Sequence, residues 1–303
     1  MNVGRVLCVL GREVLVEEDG VLVRATPAGR LKIRGSRELP VAGDLVRLGG
    51  HSASSRTVTG IEPRRSAFTK VDFQGKPVPV VANVERLVVV ISTAEPEPSL
   101  GTLDRFLVLG ERGGLRCAVC LNKVDLAQSG PDEIGVYPEI GYPVVRTSAK
   151  DRTGLEGLRA LLEGRVSAFV GPSGTGKSSL INELLDTRAQ EVREVSARIG
   201  RGRHTTTLSR LLPMECGGYI TDTPGIGWLG MPDGSIKEIA ECFPEFGPHA
   251  MRCRFTDCVH RAEPGCAVKE AVDAGLIARH RHASYLALIE EIDRPDWAVY
   301  WRS

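Results

Sequence analysis

The chain has 303 residues, 42% of them hydrophobic and 25% charged, with a net charge of +1. That is an ordinary globular composition with room for two or three domains, and its overall charge says little about partners. No apolar run approaches the 18 residues of a membrane-spanning helix, and the start, Met1-Asn2-Val3-Gly4-Arg5, lacks the layout of a signal peptide.

A cytoplasmic location is therefore expected. The eight cysteines are then not expected to form disulfides, and any cluster of them points to a metal. The charge is uneven. Residues 1–70 hold 12 Lys/Arg against 7 Asp/Glu, a net of +5, which leaves 27 against 31 for the remainder. A basic amino-terminal unit fits nucleic acid and fits an ordinary solvated surface equally.

Residues 1–65 read as all-β. Short Val- and Leu-rich runs at 5–10, 13–17, 21–25 and 44–48 are punctuated by Gly11, Asp19-Gly20, Gly43 and Gly49-Gly50. About five short strands in this length fit a small Greek-key barrel of the OB type. Residues 66–83, with Lys70, Lys76, Pro77 and Pro79, read as a linker.

From Glu85 the pattern becomes α/β. Apolar runs at 87–91, 116–121, 144–146 and 166–170 alternate with helical stretches at 103–109, 155–162 and 179–185. Such alternation predicts a mostly parallel sheet covered on both faces over residues 84–232. Residues 208–214 and 219–221 flank Cys216-Gly217-Gly218 as a hairpin. Residues 233–303 read as helical and irregular, with helices near 236–242, 268–277 and 284–292.

Gly171-Pro172-Ser173-Gly174-Thr175-Gly176-Lys177-Ser178 fits the phosphate-binding pattern Gly-x4-Gly-Lys-Ser/Thr, after a strand and before a helix. The glycines let successive N–H groups converge on one anion, and the helix N-terminus adds partial positive charge. Lys177 would reach the β- and γ-phosphates, and Ser178 would ligate Mg2+.

Asn122-Lys123-Val124-Asp125 follows the strand at 116–121 and selects the base. Asp125 can accept from guanine N1–H and the N2 amine, where adenine offers no donor. Asn122 would tie this loop to the phosphate loop, and the stem of Lys123 would lie on the ring. Thr147-Ser148-Ala149-Lys150 fits the companion loop, with a backbone N–H near Ala149 meeting O6. Asp222-Thr223-Pro224-Gly225 gives the Asp-x-x-Gly pattern. There Asp222 would hold Mg2+ through water and the Gly225 N–H would sense the γ-phosphate.

The basic stretch Gly200-Arg201-Gly202-Arg203-His204-Thr205-Thr206-Thr207 would supply a switch threonine, Thr206 or a neighbour, to the Mg2+ shell. Ile226 stands where Ras-like enzymes place the glutamine that orients water. His204 is the nearest substitute, and a packing or RNA-touching role suits it equally. Both guanine loops precede the phosphate loop, so the GTPase is circularly permuted.

Cys253-x4-Cys258-x-His260-x5-Cys266 offers three thiolates and an imidazole, the donor set of a closed structural Zn2+ site. Cys117 and Cys120, three apart in a strand, face opposite sides and cannot chelate together.

Taken together these motifs, across essentially the whole chain, resemble the ribosome small-subunit-dependent GTPase A family, the permuted GTPases of bacteria. The resemblance implies an OB-fold domain, a GTPase core and a zinc-bearing helical domain. It also implies GTP hydrolysis stimulated by the small ribosomal subunit and its rRNA, during late subunit maturation. It puts guanine contacts on Asn122, Lys123 and Asp125, phosphate and Mg2+ contacts on Gly171–Ser179, and zinc on Cys253, Cys258, His260 and Cys266. A monomer is expected.

Three other readings compete. A P-loop kinase would not need Asp125. A non-hydrolysing RNA-binding module would not need Lys177, Ser178 and Asp222 together. A permuted GTPase acting on another ribosomal or RNA assembly fits the barrel and zinc unit less well.

Overall fold

The structure is a computed structural model that describes residues 2–29, 32–33, 36–37, 39–50, 56–71, 77–127, 130–200, 209–222 and 235–293. The first strands are β1 (Asn2–Leu10), β2 (Glu13–Glu18), β3 (Val21–Pro27), the short pair β4 (Lys32–Ile33) and β5 (Ser36–Arg37), β6 (Leu45–Gly49) and β7 (Arg56–Ile61). β1, β2, β3, β7 and β6 pair in that order, and β6 returns to β1, which closes a five-stranded barrel. Closure works because alternate residues point inward: Val6, Val14, Val16, Val23, Val46 and Val58 form its core. At the seam a side chain on Gly4 would sit 2.4 Å from Val16 Cγ1, so only glycine lets the strands meet there.

β1 serves two sheets. Its first half pairs with β6, and past an irregularity between Val6 and Cys8 it pairs with a core strand at Arg210. Leu7, Leu10 and Leu15 accordingly lie in the large core, so the barrel is continuous with the sheet behind it.

Residues 66–83, expected as a linker, are mostly a hairpin of β8 (Ala67–Val71) and β9 (Pro77–Ala82). Val81 bridges to Ala42 and is fully buried. Lysines and prolines suggested a loop, but a two-stranded ribbon has edges on both sides, where proline is tolerated.

The core runs β10 (Arg86–Ser92), α1 (Leu100–Arg112), β11 (Arg116–Asn122), α2 (Val136–Ile140), β12 (Val144–Arg146), α3 (Leu155–Leu162), β13 (Val166–Val170), α4 (Lys177–Leu184), α5 (Thr187–Gly200), β14 (Arg210–Pro213) and β15 (Tyr219–Asp222). β12, β11, β10, β13 and β15 are parallel in that order, and β14 adds antiparallel. Every residue of β10 is buried, as a central parallel strand requires. The connections run outward from β10 on one side through β11 and β12, then return to β13 on the other. The crevice beyond the carboxyl ends at this reversal is where α/β sheets hold ligands.

The last segment packs α6 (Ile236–Glu241), α7 (Gly247–Ala250), α8 (Ala267–Asp273) and α9 (Arg279–Asp293) around Phe243, Phe246, Tyr285 and Ile289. Ser235 and Glu238 form a reciprocal cap that starts α6. This core takes in Val108 of α1, and Arg105 of α1 pairs with Glu291 of α9. At its centre lies Arg281, fully buried. It donates to Asp104 Oδ1 at 2.6 Å and Glu245 Oε1 at 2.7 Å, with its guanidinium 4.6 Å from the Phe243 ring.

Candidate functional site

The loop after β13 has the backbone its sequence demands. Gly171, Gly174 and Gly176 all have positive φ. A side chain at Gly171 would strike Val90 O at 2.1 Å, so the loop can leave the sheet only through glycine. Gly176 lies just before α4, which starts at Lys177. The Lys177 ammonium donates to Gly171 O at 2.9 Å and Pro172 O at 2.6 Å, and partial burial lowers its pKa. It is held by carbonyls of the loop it belongs to, a cation kept over an anion cradle. Ser178 and Ser179 occupy the exposed first turn of α4.

The two base loops interlock with it. Asn122 Nδ2 donates to Thr175 O at 2.9 Å, while its Oδ1 accepts from Thr147 Oγ1 at 3.0 Å. One buried side chain thus ties the phosphate loop to both base loops. Lys123 takes a left-handed φ of 65°, its carbonyl accepts from Thr93 Oγ1 at 2.6 Å, and its ammonium reaches Glu95 O at 2.5 Å. Asp125 Oδ1 accepts from Ser148 Oγ at 2.8 Å, and Val124 N–H donates to Thr147 O at 3.1 Å. Asp125 is thereby held in one orientation, and a side chain ordered in advance carries less ordering cost into any ligand contact it makes.

An open cavity of about 490 Å³ joins these parts, lined among others by Asn122, Lys123, Asp125, Ala149, Lys150, Gly176 and Ser179. The volume suits a nucleotide-sized ligand. Asn182 and Glu183 also line it. No motif in the sequence singles them out; they stand one turn beyond Ser179 on the same helix face, and that periodicity is the signal that could have found them.

β15 lies beside β13 in parallel, with Thr221 opposite Ala168, so Asp222 ends its strand beside the strand that leads into the phosphate loop. Serine and aspartate are residue types whose oxygens are the hard donors Mg2+ takes, and Ser178 stands in the first turn of α4 while Asp222 closes β15. His204, Thr206 and Gly225 lie outside the described residues.

The cysteine loop also assembles. His260 Nδ1 lies 3.6, 3.5 and 3.4 Å from the sulfurs of Cys253, Cys258 and Cys266, and the Cys253 and Cys266 sulfurs are 4.0 Å apart. Zn–S bonds of about 2.3 Å and Zn–N bonds of about 2.0–2.1 Å give tetrahedral edges of about 3.5–3.8 Å. The cluster therefore fits a zinc ion. Glu263 braces the loop by accepting the N–H groups of Val259, Arg261 and Ala262. Tyr285 and His282 of α9 hydrogen-bond the Val259 and His260 carbonyls. By contrast Cys117 and Cys120 are separate. The first faces Leu107 O of α1 and the second Thr147, and burial pushes the Cys120 thiol up to about 12.

The comparisons agree with this geometry. A sequence profile described as RsgA GTPase matches residues 61–232. A relative from Gemmatimonas aurantiaca is 40% identical over 282 residues, covering 91% of this chain and 92% of its own. One from Alkaliphilus metalliredigens is 38% identical over 270 residues, covering 88% and 90%. Both are named small ribosomal subunit biogenesis GTPase RsgA. The crystal structure of YjeQ from Thermotoga maritima superposes with a TM-score of 0.77 at 33% identity, covering 97% of this chain and 99% of that one. YloQ, described as a circularly permuted GTPase, superposes at 0.74 with 28% identity, covering 96% and 94%. With the guanine loops ahead of the phosphate loop and one cavity joining them, the chain belongs to the RsgA GTPase family.

Proposed function

We propose that this GTPase binds the small ribosomal subunit and hydrolyses GTP to GDP and phosphate during late subunit maturation. The observation that carries guanine-nucleotide binding is the Asn122 bridge, because it makes base selection and phosphate binding parts of one rigid site. The ribosomal partner rests on the names of relatives that match along nearly the whole chain. In this reading residues 1–65 engage rRNA, residues 84–232 turn over nucleotide, residues 233–303 form the zinc-bearing helical unit, and the work is done in the cytoplasm by a monomer. Turnover measured with small subunits, large subunits and neither tests it. Stimulation by small subunits alone is expected, and equal rates in all three would overturn it.

Within the site, Asp125 accepts from the guanine edge, the Ala149 region donates to O6, and the amides of Gly171–Ser178 hold the phosphates. Lys177 exchanges its carbonyl partners for phosphate oxygens, which return full stabilisation to its charge. Ser178, Asp222 and Thr206 are the residues that would hold Mg2+, which supplies charge neutralisation between the β- and γ-phosphates. Gly225 donates to the γ-phosphate. His204 positions the attacking water. Replacing His204 with alanine is expected to slow stimulated turnover about 10²-fold or more while GDP affinity stays constant. Unchanged turnover would remove it from the mechanism.

Cys253, Cys258, His260 and Cys266 hold one structural zinc ion in this reading. The helical segment has a small core, and such units depend on a staple. Metal analysis should return one zinc per chain. Chelation should abolish hydrogen-exchange protection across α6–α9 and leave GDP binding to the core nearly unchanged. Retained protection after complete zinc removal would show that the packing suffices without it.

A further inference from the structure

The nucleotide site occupies the carboxyl ends of the parallel strands. The opposite ends of three of them carry arginines. Arg86 opens β10 and Arg116 opens β11, and the two are direct partners in the register, so their side chains leave the same face of the sheet. Ser167 of β13 is the partner of Arg86 on its other side, and Arg165 stands two residues before Ser167, which brings it to that face as well. Three guanidinium groups thus converge on one edge.

Arg86 is only 8% exposed, and its Nε has no hydrogen-bond partner. Among the described residues none of the three arginines has a carboxylate partner. The acid nearest in sequence, Glu85, is engaged with the Val166 N–H at 3.2 Å. Arg116 is exposed and Arg165 half-exposed, so the cluster opens to solvent above the buried Arg86. Burial lowers the Arg86 pKa, and the charges of Arg165 and Arg116 lower it further, as like charges gathered close together do.

We infer that Arg86, Arg116 and Arg165 form a phosphate-binding site for the backbone of RNA, at the end of the GTPase core remote from the nucleotide. Planar guanidinium forks match phosphate oxygens, and three of them outnumber the neighbouring Glu85 carboxylate, which is already bonded to the Val166 N–H, so the cluster keeps a net positive charge for an anion. The choice of RNA rests on the proposed ribosomal role. Nucleotide at the carboxyl edge and RNA at the amino edge would bind the same sheet at once.

The test uses the full chain and a short labelled RNA duplex, titrated over a series of salt concentrations. The double variant Arg116→Gln/Arg165→Gln changes only surface positions, so folding is preserved, and GDP binding serves as the check. It is expected to weaken RNA binding about ten-fold and to flatten the log K against log salt slope by about one to two. A variant with the same loss of charge elsewhere, Lys237→Gln/Arg279→Gln, should shift the slope by less than half as much. The inference is overturned if wild type does not bind the duplex, if the arginine variant keeps the wild-type slope, or if the two variants change it equally. Small-subunit-stimulated turnover of wild type reports separately on the proposed function.

Discussion

Replacing Asp125 with asparagine should reduce GTP and GDP affinity about 10²–10⁴-fold and create affinity for xanthosine nucleotides. The carboxylate is expected to accept two hydrogen bonds from guanine, and bonds to a charged group are worth about 1.5–3 kcal/mol each. Asparagine keeps one acceptor and replaces the other with a donor, which then faces the guanine amine. Xanthine carries a carbonyl where guanine carries that amine, so the carboxamide matches it. Ser148, which bonds Asp125 Oδ1 at 2.8 Å, can bond the amide oxygen equally well, so the loop should keep its shape. Nucleotide titration monitored by calorimetry checks this. A variant that holds GDP as tightly as wild type would mean that the base is not read by this residue.

The second large effect concerns stability. Substituting Arg281 with methionine is expected to cost about 3–5 kcal/mol, because it leaves buried acids without their cation. Asp104 is fully buried and would keep only the Tyr137 hydroxyl, at 2.7 Å, while Glu245 would lose its side-chain partner. The loss should fall on the contact between α9 and α1, because Arg281 and Asp104 lie on those two helices. Hydrogen exchange of α9 and denaturant unfolding measure it. The same substitution combined with Asp104→Asn and Glu245→Gln should recover much of the loss, since no unpaired charge then remains buried. If the single variant is as stable as wild type, the network contributes nothing net. If the triple variant is no better than the single, packing around the guanidinium carries the effect instead.

This network also shows where sequence reading stops. The phosphate loop, the loops at 122–125 and 147–150 and the Cys/Cys/His/Cys cluster are legible because each is a short stretch whose chemistry is local. Arg281 stands in the run Arg279-His280-Arg281-His282, which reads as a solvated basic helix start. Its partners lie 36 and 177 positions away, and no pattern within the chain points to them. The hairpin β8–β9 was obscured by lysine and proline. Helix α5 is hard to read in the sequence because it is highly charged, although Ala189 and Val192 are buried. The dual role of β1 was illegible for another reason: its apolar alternation suits either sheet, and only the register decides which half joins which. The Asn122 bridge was foreseen in outline, but its second bond, from Thr147, depended on two loops meeting in space.

On the proposed function, one preorganised site grips phosphates while selecting guanine. Parallel titration of the purified protein with GDP and ADP tests it most directly. GDP should bind with micromolar or better affinity and ADP at least a hundred-fold more weakly, which at about 1.4 kcal/mol per ten-fold is about 3 kcal/mol of discrimination. Equal affinity for the two, or none for either, would contradict the account.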